Sequence, residues 1–429
     1  MTAWNRRCCP TPTAVIRSSS RDIRDCLRPE SQTRYQHELR HPAGQQNYRG
    51  GNDIMKKQTW RNLLFATIFA VLAAGTVVSQ RTELNFPDIE GYVTLACDLH
   101  THTVFSDGSV WPAVRVDEAW RDGLDVLAIT DHIEYLPHKD DMVIDFNRPY
   151  QIAKPKADEL HLLLIPGVEI TRDAPHGHFN AIFIKDGNAL NVEDQKDAIR
   201  IANEQGAFVF WNHPEWKRKG DTAWSEIQAE YLAKGWMHGM EVFNGDHYYP
   251  SAHKWCLKHN LTMLANTDIH GPRDYGADTD GVRTMTLVFA RERTPEAVEE
   301  ALRARRTVAC SGNTLVGEAQ WVAPLFYQSV TVQHPEGTLK EKQRLSVGVH
   351  NASPVTFKLK AKGGVQGLSF PGALTLSAGK TVMLRLEGRN IKESGQRDVQ
   401  LPCVVENIWI APDTSLPVTI DLKITFQKD

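Results

Sequence analysis

The sequence lacks three features that would each narrow its role at once. It has no basic excess: 49 Lys and Arg stand against 52 Asp and Glu, a formal charge of −3. Proteins that track nucleic acid neutralise phosphates with clustered cations, so a nucleic-acid polymer is excluded as the expected partner, while a small phosphorylated ligand stays open. It has only 7 cysteines in 429 residues, too few and too scattered for a disulfide framework. Its most apolar stretch, Leu63 to Val78, runs to sixteen residues, short of the roughly 20 that a bilayer-spanning helix needs. There is also no internal repeat and no long low-complexity linker.

What is present reads as ordinary globular protein, 41% hydrophobic and 24% charged, long enough for one large catalytic-size domain and a smaller one. Residues 1–54 are polar and Arg-rich, with Cys8, Cys9 and Cys26 but no sustained apolar period. Met55, Lys56 and Lys57 then form a basic segment, Leu63 to Val78 an apolar one, and Val77-Val78-Ser79 a compact end before Gln80. That is the layout of a secretory signal peptide over 55–79. It implies that Met55 is the true initiator and that 1–54 is upstream sequence translated in error. The expected location is the periplasm or outside the cell, with an uncleaved membrane anchor as the alternative and this segment as the sole membrane contact. The remaining cysteines, Cys97, Cys256, Cys310 and Cys403, are expected to be buried thiols.

Over residues 80–320 short β-rich runs alternate with helical ones. "VTLACDLH", "VLAIT", "LLLIPGVEI", "FNAIFI", "FVFWNH", "MEVFNG", "TMLANTDIH", "MTLVFA" and "TVACSG" read as strands. "WPAVRVDEAWRDG", "DQKDAIRIANEQG", "SAHKWCLKHN" and "TPEAVEEALRARR" read as helices, many closing on Gly or Asn as a left-handed cap requires. Such alternation predicts an α/β fold with a parallel sheet, closed or nearly closed into a barrel. Over 321–429 the pattern changes to period-2 alternation between turn residues, which predicts a small antiparallel β-sandwich.

Polar residues gather at the C-terminal ends of the barrel strands, the rim on which β/α barrels build their sites. His100 and His102 end the first run, with Asp107 five residues on; Asp131 and His132 end the second and Glu169 the third. His178 opens the fourth, His213 ends "FVFWNH", Asn244 ends "MEVFNG", and Asp268 and His270 end "TMLANTDIH". One histidine in a core means little. Imidazoles and carboxylates converging on one rim would be costly to desolvate without a cation, and this mixture of N and O donors suits Zn, Mn or Fe.

In this order, "DLHTHTVFSDG", "ITDHIEY", "GVEIT", "HFNAIF", "WNHPEW" and "NTDIHG" resemble the PHP (polymerase and histidinol phosphatase) domain, a family of metal-dependent phosphoesterases. The resemblance implies a distorted β/α barrel carrying three divalent ions. By position, His100 and His102 with Glu169 and Asp268 would hold the first. Glu169 would bridge to a second held by His178 and His213, and Asp107, His132 and His270 would hold the third. His176, two residues before His178, is the alternative at that position. The signal segment, "WNHPEW" and the trailing β domain resemble a secreted branch that includes phosphodiesterases.

The implied chemistry is metal-assisted hydrolysis of a small phosphodiester or phosphomonoester, with Glu169 and Asp268 at the reacting centre. Asp131 is a candidate proton acceptor, an acceptor that orients an imidazole, or a cap for the segment after it. Asn212, Asn244 and Asn266 also stand near strand ends and could position ligands or substrate. On the loops, His138, Lys139, Arg148, Tyr150, Lys154, Arg273 and Tyr275 are candidate phosphate or leaving-group contacts, whereas "KRK" at Lys217 to Lys219 reads as a solvated face. Alternatives within the class are a histidinol-phosphatase-like or nucleotide phosphomonoesterase. Outside it stand an amidohydrolase-type hydrolase, which commonly bridges two metals with a modified lysine, and a non-catalytic binding protein.

Overall fold

All nine apolar runs form strands, but not all of them run in parallel. The computed structural model of the chain describes residues 80–217, 223–274 and 281–428; the segments 1–54 and 55–79, Tyr275, Arg218 and Lys219 lie outside the described residues. A ring is built from β1 (Val93–Asp98), β2 (Val126–Ile129), β3 (Leu163–Arg172), β4 (Gly177–Ile182), β5 (Phe208–Trp211), β6 (Gly239–Asn244), the short β7 (His247–Tyr248) beside it, and β8 (Thr262–Asn266). Parallel pairing joins β1 to β2, β2 to β3, β5 to β6 and β6 to β8. Strand β4 runs antiparallel to both neighbours. Only residues 173–176 separate it from β3, too few for the crossover that a parallel pair needs.

That reversal matters for the site. Because β4 is inverted, its first residues lie where its neighbours have their last, so His178 reaches the same rim as the others. The other two antiparallel strands, β9 (Val282–Ala290) and β10 (Thr307–Gly312), extend the sheet beyond β1 and lie against β8 without a backbone ladder to it. Closure between β8 and β1 is made at the rim by a bridge between Thr101 and Ile269. Lower down, threonine hydroxyls replace the ladder: Thr286 donates to Ala265 O and accepts from Ala265 N, both at 2.9 Å, and Thr307 donates to Met263 O at 2.8 Å. The barrel is therefore distorted at this seam.

Helices α1 (Pro112–Arg121), α2 (Arg148–Glu159), α3 (Gln195–Glu204), α4 (Glu226–Ala233), α5 (Pro250–His259) and α6 (Pro295–Arg303) connect the strands. Their ends follow local chemistry. Asp194 and Thr294 cap α3 and α6, a Ser225–Gln228 capping box starts α4, and α5 stops at Asn260 in the left-handed region. Segment 148–159, read from sequence as part of a loop, is helix α2. It buries Pro149, Ala153 and Ala157 at four-residue spacing, and its interior Pro155 obscures that period.

After β11 (Thr314–Val316) comes α7 (Ala319–Ser329), a helix where the sequence suggested only strands. Its Trp321 meets Tyr92 and Phe289 of the barrel, and its Phe326 lies 5.3 Å from Phe357 of the sandwich. The sandwich consists of β12 (Val330–Gln333), β13 (Glu336–Lys340), β14 (Arg344–Asn351), β15 (Phe357–Ala361), β16 (Gly367–Ser369), β17 (Ala373–Leu376), β18 (Lys380–Arg389), β19 (Gly395–Ala411) and β20 (Thr414–Gln427). One sheet orders β12-β14-β18-β16 and the other contains β13, β20, β19, β15 and β17; pairing is antiparallel except between β13 and β20. Alternation is plain in β20, where Leu416, Val418, Ile420, Leu422, Ile424 and Phe426 are all buried. Strand β19 also pairs in parallel with β11, so barrel and sandwich share a continuous sheet and one apolar core that runs from Leu127 and Phe289 to Phe357 and Phe426.

Candidate metal centre

Each barrel strand ends by handing one or two polar side chains to the rim. His100 and His102 follow β1, His132 follows β2, His213 follows β5, and Asp268 and His270 follow β8; Glu169 lies within β3, which continues to Arg172 as one arm of the β3–β4 hairpin. Two of these residues hold uncommon backbone conformations, φ 26° at His213 and φ 54° at Asp268, where strain or αL geometry tends to mark functional sites. Gly108 explains the glycine that ends "FSDG": a Cβ there would lie 2.7 Å from Thr103 N and 2.8 Å from the carbonyl carbon of His102.

Glu169 is at the centre and fully buried. Its Oε1 lies 2.8 Å from His178 Nδ1 and 3.8 Å from His213 Nε2; its Oε2 lies 3.1 to 3.3 Å from His132 Nδ1, His100 Nε2 and His102 Nε2. Asp268 Oδ1 approaches His102 Nε2 at 3.0 Å and His100 Nε2 at 3.1 Å. Asp107 Oδ1 faces His270 Nε2 at 3.2 Å and His132 Nε2 at 3.5 Å. Donor atoms converge within 4.8 Å in four sets: His102, Asp107, His132 and His270; His100, His102 and Glu169; His100, His213 and Asp268; and Glu169, His178 and His213. The nine predicted ligand residues all belong to these sets.

The donor chemistry fits divalent cations. His100 Nδ1 lies 2.8 Å from Glu241 Oε1, an acceptor, so a proton sits on Nδ1 and Nε2 is the atom turned to the cluster. Nε2 lies 3.1 Å from His102 Nε2 and beside two carboxylate oxygens, an arrangement that needs positive charge between them. Among the described residues, Asp107 Oδ1, Glu169 Oε1, Asp268 Oδ1 and His178 Nδ1 are buried without a hydrogen bond. Natural proteins rarely leave such groups unpaired.

Electrostatics point the same way. Burial opposes protonation of His100 and His102, but Asp268 and Glu169, with Glu241 at His100, outweigh it, holding His100 well above its ordinary pKa and His102 up at about 9. Burial pushes the Glu169 and Asp268 carboxyls up, yet the surrounding imidazoles pull both well below the usual range. Burial takes His132 down to about 4 in spite of Glu169. In the protein alone, protons occupy the place where the cluster calls for cations.

Several predicted residues fall elsewhere. Asp131 is buried but braces the loop after β1: its carboxylate accepts from Thr103 N and Thr103 Oγ1 at 2.7 Å and from Ser106 Oγ at 2.6 Å. Three donors engage Asp131, one of them on Oδ2 and two on Oδ1, and it does not line the main cavity. His138 and Lys139 line a separate small hollow. Arg148 bonds to Gln151, Lys154 pairs with Asp158 on the exposed side of α2, and Tyr150 faces another surface hollow. Arg273 turns to Asp122 at 3.0 Å. Long basic side chains on a segment after a strand end carry no information about direction, and none of these lines the cavity over the cluster.

The cavity over the cluster holds about 550 Å³, the size of a small-molecule site. Its outer wall is formed by residues not singled out from sequence, Glu134, Tyr135, Arg172, Asp173 and Trp216, together with Lys217. Arg172 pairs with Glu134, and Lys217 pairs with Asp173 at 2.9 Å while lying 3.9 Å from the Trp216 ring centre. Lys217 thus belongs to the cavity wall and not merely to a solvated face. Glu241 was missed as well. Buried in β6, it accepts from His100, His213 N, Asn244 and Asn266. A carboxylate inside the apolar run "MEVF" of a barrel strand was the available signal, since such a charge must find partners. Asn180 and Asn212 pair with each other at 2.8 Å beneath the site.

Comparison with known proteins agrees with this architecture. A family model described as an Ig-like domain, DUF5001, matches residues 330–421. No curated protein matches the sequence. Among solved structures, a two-domain protein from Bacteroides vulgatus ATCC 8482 containing a predicted PHP-like metal-dependent phosphoesterase is 43% identical, with a TM-score of 0.74 over 80% of this chain and 99% of that one. A candidate metal-dependent phosphoesterase from Bifidobacterium adolescentis ATCC 15703 is 16% identical over 48% of this chain and 95% of its own. An amidohydrolase from Chromobacterium violaceum, solved with sulfate and no metal, is 19% identical over 49% and 96%; both have a TM-score of 0.36. Those two share too little with this chain to bear on its chemistry. With the relative from Bacteroides vulgatus spanning both parts of the molecule, the chain belongs to the PHP-like metal-dependent phosphoesterases.

Proposed function

We propose that this enzyme hydrolyses a small phosphate ester, a phosphodiester or a small phosphomonoester, with three divalent ions. His100, His102, Glu169 and Asp268 would hold one, Glu169, His178 and His213 a second, and Asp107, His132 and His270 a third. The observation that carries this reading is the convergence of buried donor atoms lacking hydrogen bonds on one rim. Two of the four donor sets share His100, and reading these two as one position gives the three of the proposal. Zn, Mn and Fe all suit these donors.

Bound divalent ions would supply Lewis-acid polarisation of the phosphoryl group and acidification of water near neutral pH. The chain supplies the rest. Glu241 keeps the proton on His100 Nδ1, Thr171 Oγ1 holds His132 Nδ1 at 2.6 Å, and Glu169 and Asp268 keep the centre anionic. Trp216 and Tyr249 wall the cavity and narrow access of bulk water to the reacting phosphate.

A small substrate is favoured over a polymer because the described basic wall residues Arg172 and Lys217 are both held in ion pairs, whereas binding a polyanionic backbone calls for a track of available cations. An amidohydrolase-type centre is disfavoured by Glu169 standing where a modified lysine would bridge. Export through segment 55–79 belongs to the same proposal, and native peptides from residues 1–54 in mass spectrometry would contradict it. Phosphate release from a panel of small diesters and monoesters, measured on protein of known metal content, tests the activity. No release from either class with metal bound would remove the reading.

A further inference from the structure

Arg115 sits outside the donor cluster, on the face of α1 that also buries Pro112, Val116, Glu118 and Ala119. It is only 2% exposed, and its guanidinium is engaged almost entirely with backbone. Nε and Nη2 donate to His102 O at 3.2 and 3.0 Å; Nη2 also lies 3.3, 3.3 and 3.0 Å from the carbonyl oxygens of Ile269, His270 and Gly271. Nη1 donates to Glu118 Oε2 at 2.6 Å, and Glu118 Oε1 accepts from Arg273 N at 2.8 Å. One buried ion pair therefore grips both loops that leave the barrel at its distorted seam.

Elsewhere the seam is held by single bonds and not by a ladder. Lower down, Leu99 N donates to Asn266 Oδ1 at 2.9 Å and Thr267 N to Asp98 Oδ1 at 3.2 Å. At the rim, Asp268 N donates to His100 O at 2.9 Å, His102 N to Ile269 O at 3.1 Å and Ser109 N to His270 O at 2.8 Å, and Arg115 is the side chain that gathers the Ile269 and His270 carbonyls with those of His102 and Gly271. Across it, the His102 and His270 rings stack with centroids 4.2 Å apart and planes at 18°. By contrast, Glu169, His178 and His213 are carried on β3, β4 and the end of β5, whose backbones pair with each other.

We infer that Arg115 is a positioning residue: by clamping the His102 and Ile269–Gly271 carbonyls together, it sets the geometry of the Asp107, His132 and His270 position and hence the affinity of that position for its ion. The inference rests on the metal reading above. Arginine is required because a planar fork reaches several carbonyls at once, which a lysine ammonium does in a looser geometry. Replacing a partner that orients ligands typically weakens metal affinity about 10–100-fold.

Metal content of the full chain, measured by inductively coupled plasma mass spectrometry after dialysis against graded chelator, tests it alongside thermal unfolding. The unaltered protein is expected to hold three ions. Arg115→Met should release one of them at about 10–100-fold lower chelator and keep the other two, with Arg115→Lys intermediate. Unchanged retention of every ion in Arg115→Met would overturn the inference, as would parallel weakening of all ions with a lowered unfolding midpoint, which marks a general structural role. Should Arg115→Met fail to fold, Glu118→Gln carries the test: a smaller weakening confined to the same ion supports the clamp, and none overturns it. An unaltered protein that binds no ion would instead overturn the metal reading itself.

Discussion

The rim of the barrel and the interior of the sandwich treat buried polar groups in opposite ways. In the sandwich, Asn351 Nδ2 donates to Val355 O at 2.8 Å and Leu376 O at 3.0 Å, its Oδ1 accepts from Ser353, and Asn407 bonds Thr356 O and Lys358 N. At the rim, four donor atoms among the described residues are buried with no hydrogen bond, and three carboxylates crowd six imidazoles. Such crowding is costly to desolvate and leaves buried groups unpaired unless something else binds there. The sandwich is built to be stable and the rim to hold a charge that the chain does not supply, even though one apolar core runs through both.

The most damaging change to the rim is Glu169→Gln, because that side chain contacts five imidazoles. Activity is expected to fall by well over the ~100-fold that a partner outside the ligand set costs, with ions lost; phosphate release and metal content report both. Glu241→Gln should weaken metal affinity about 10–100-fold while the apo protein still folds, as chelator competition would show. The sandwich responds through stability instead. Phe357→Ala, at a site 1% exposed and packed on Phe326, should cost about 3–5 kcal/mol of stability and leave the ion count unchanged. A loss of ions in that variant would break the distinction between the two regions.

A pH titration of unfolding sharpens it. In metal-free protein, His100 and His102 are raised, so their contribution is fully present below about pH 6.5 and lost as pH rises through the folded value of about 9 for His102. Glu169 and Asp268 are depressed, so theirs is present above the ordinary carboxyl values of 4.5 and 3.8 and lost as pH falls below them. Metal-free protein should thus lose stability between about pH 6.5 and 9 while metal-loaded protein does not; identical profiles would count against the cluster's role. The smallest effects belong to His138→Ala and Arg148→Ala, expected to change catalysis within about twofold because such surface sites rarely matter energetically.

Much of this was legible in the chain itself. Ligand-type residues at strand ends, such as His100, His132 and Asp268, could be read because a β/α barrel brings all such ends to one rim. His178 was readable as a residue, but its reach to the rim depends on the inversion of β4, which follows from the short turn before it. Arg115 carried no signal, since it acts through backbone partners far along the chain; Glu241 was visible as a charge inside an apolar strand, but its partner was not, because it lies 141 positions from His100. Helix α2 was hidden by its prolines, and the barrel–sandwich seam by the short β11, whose pairing with β19 spans two residues in register, Leu315 with Ile408 and Val316 with Trp409. Sequence reports residue chemistry at element ends well; it reports poorly which distant group faces it.

The most direct test is the number of divalent ions per chain in protein purified without added metal or chelator, with phosphate release followed as those ions are removed and returned. Three ions, with release lost on removal and regained on return, is the result expected. Protein that carries no ion, or that releases phosphate equally well after complete removal, would contradict the account.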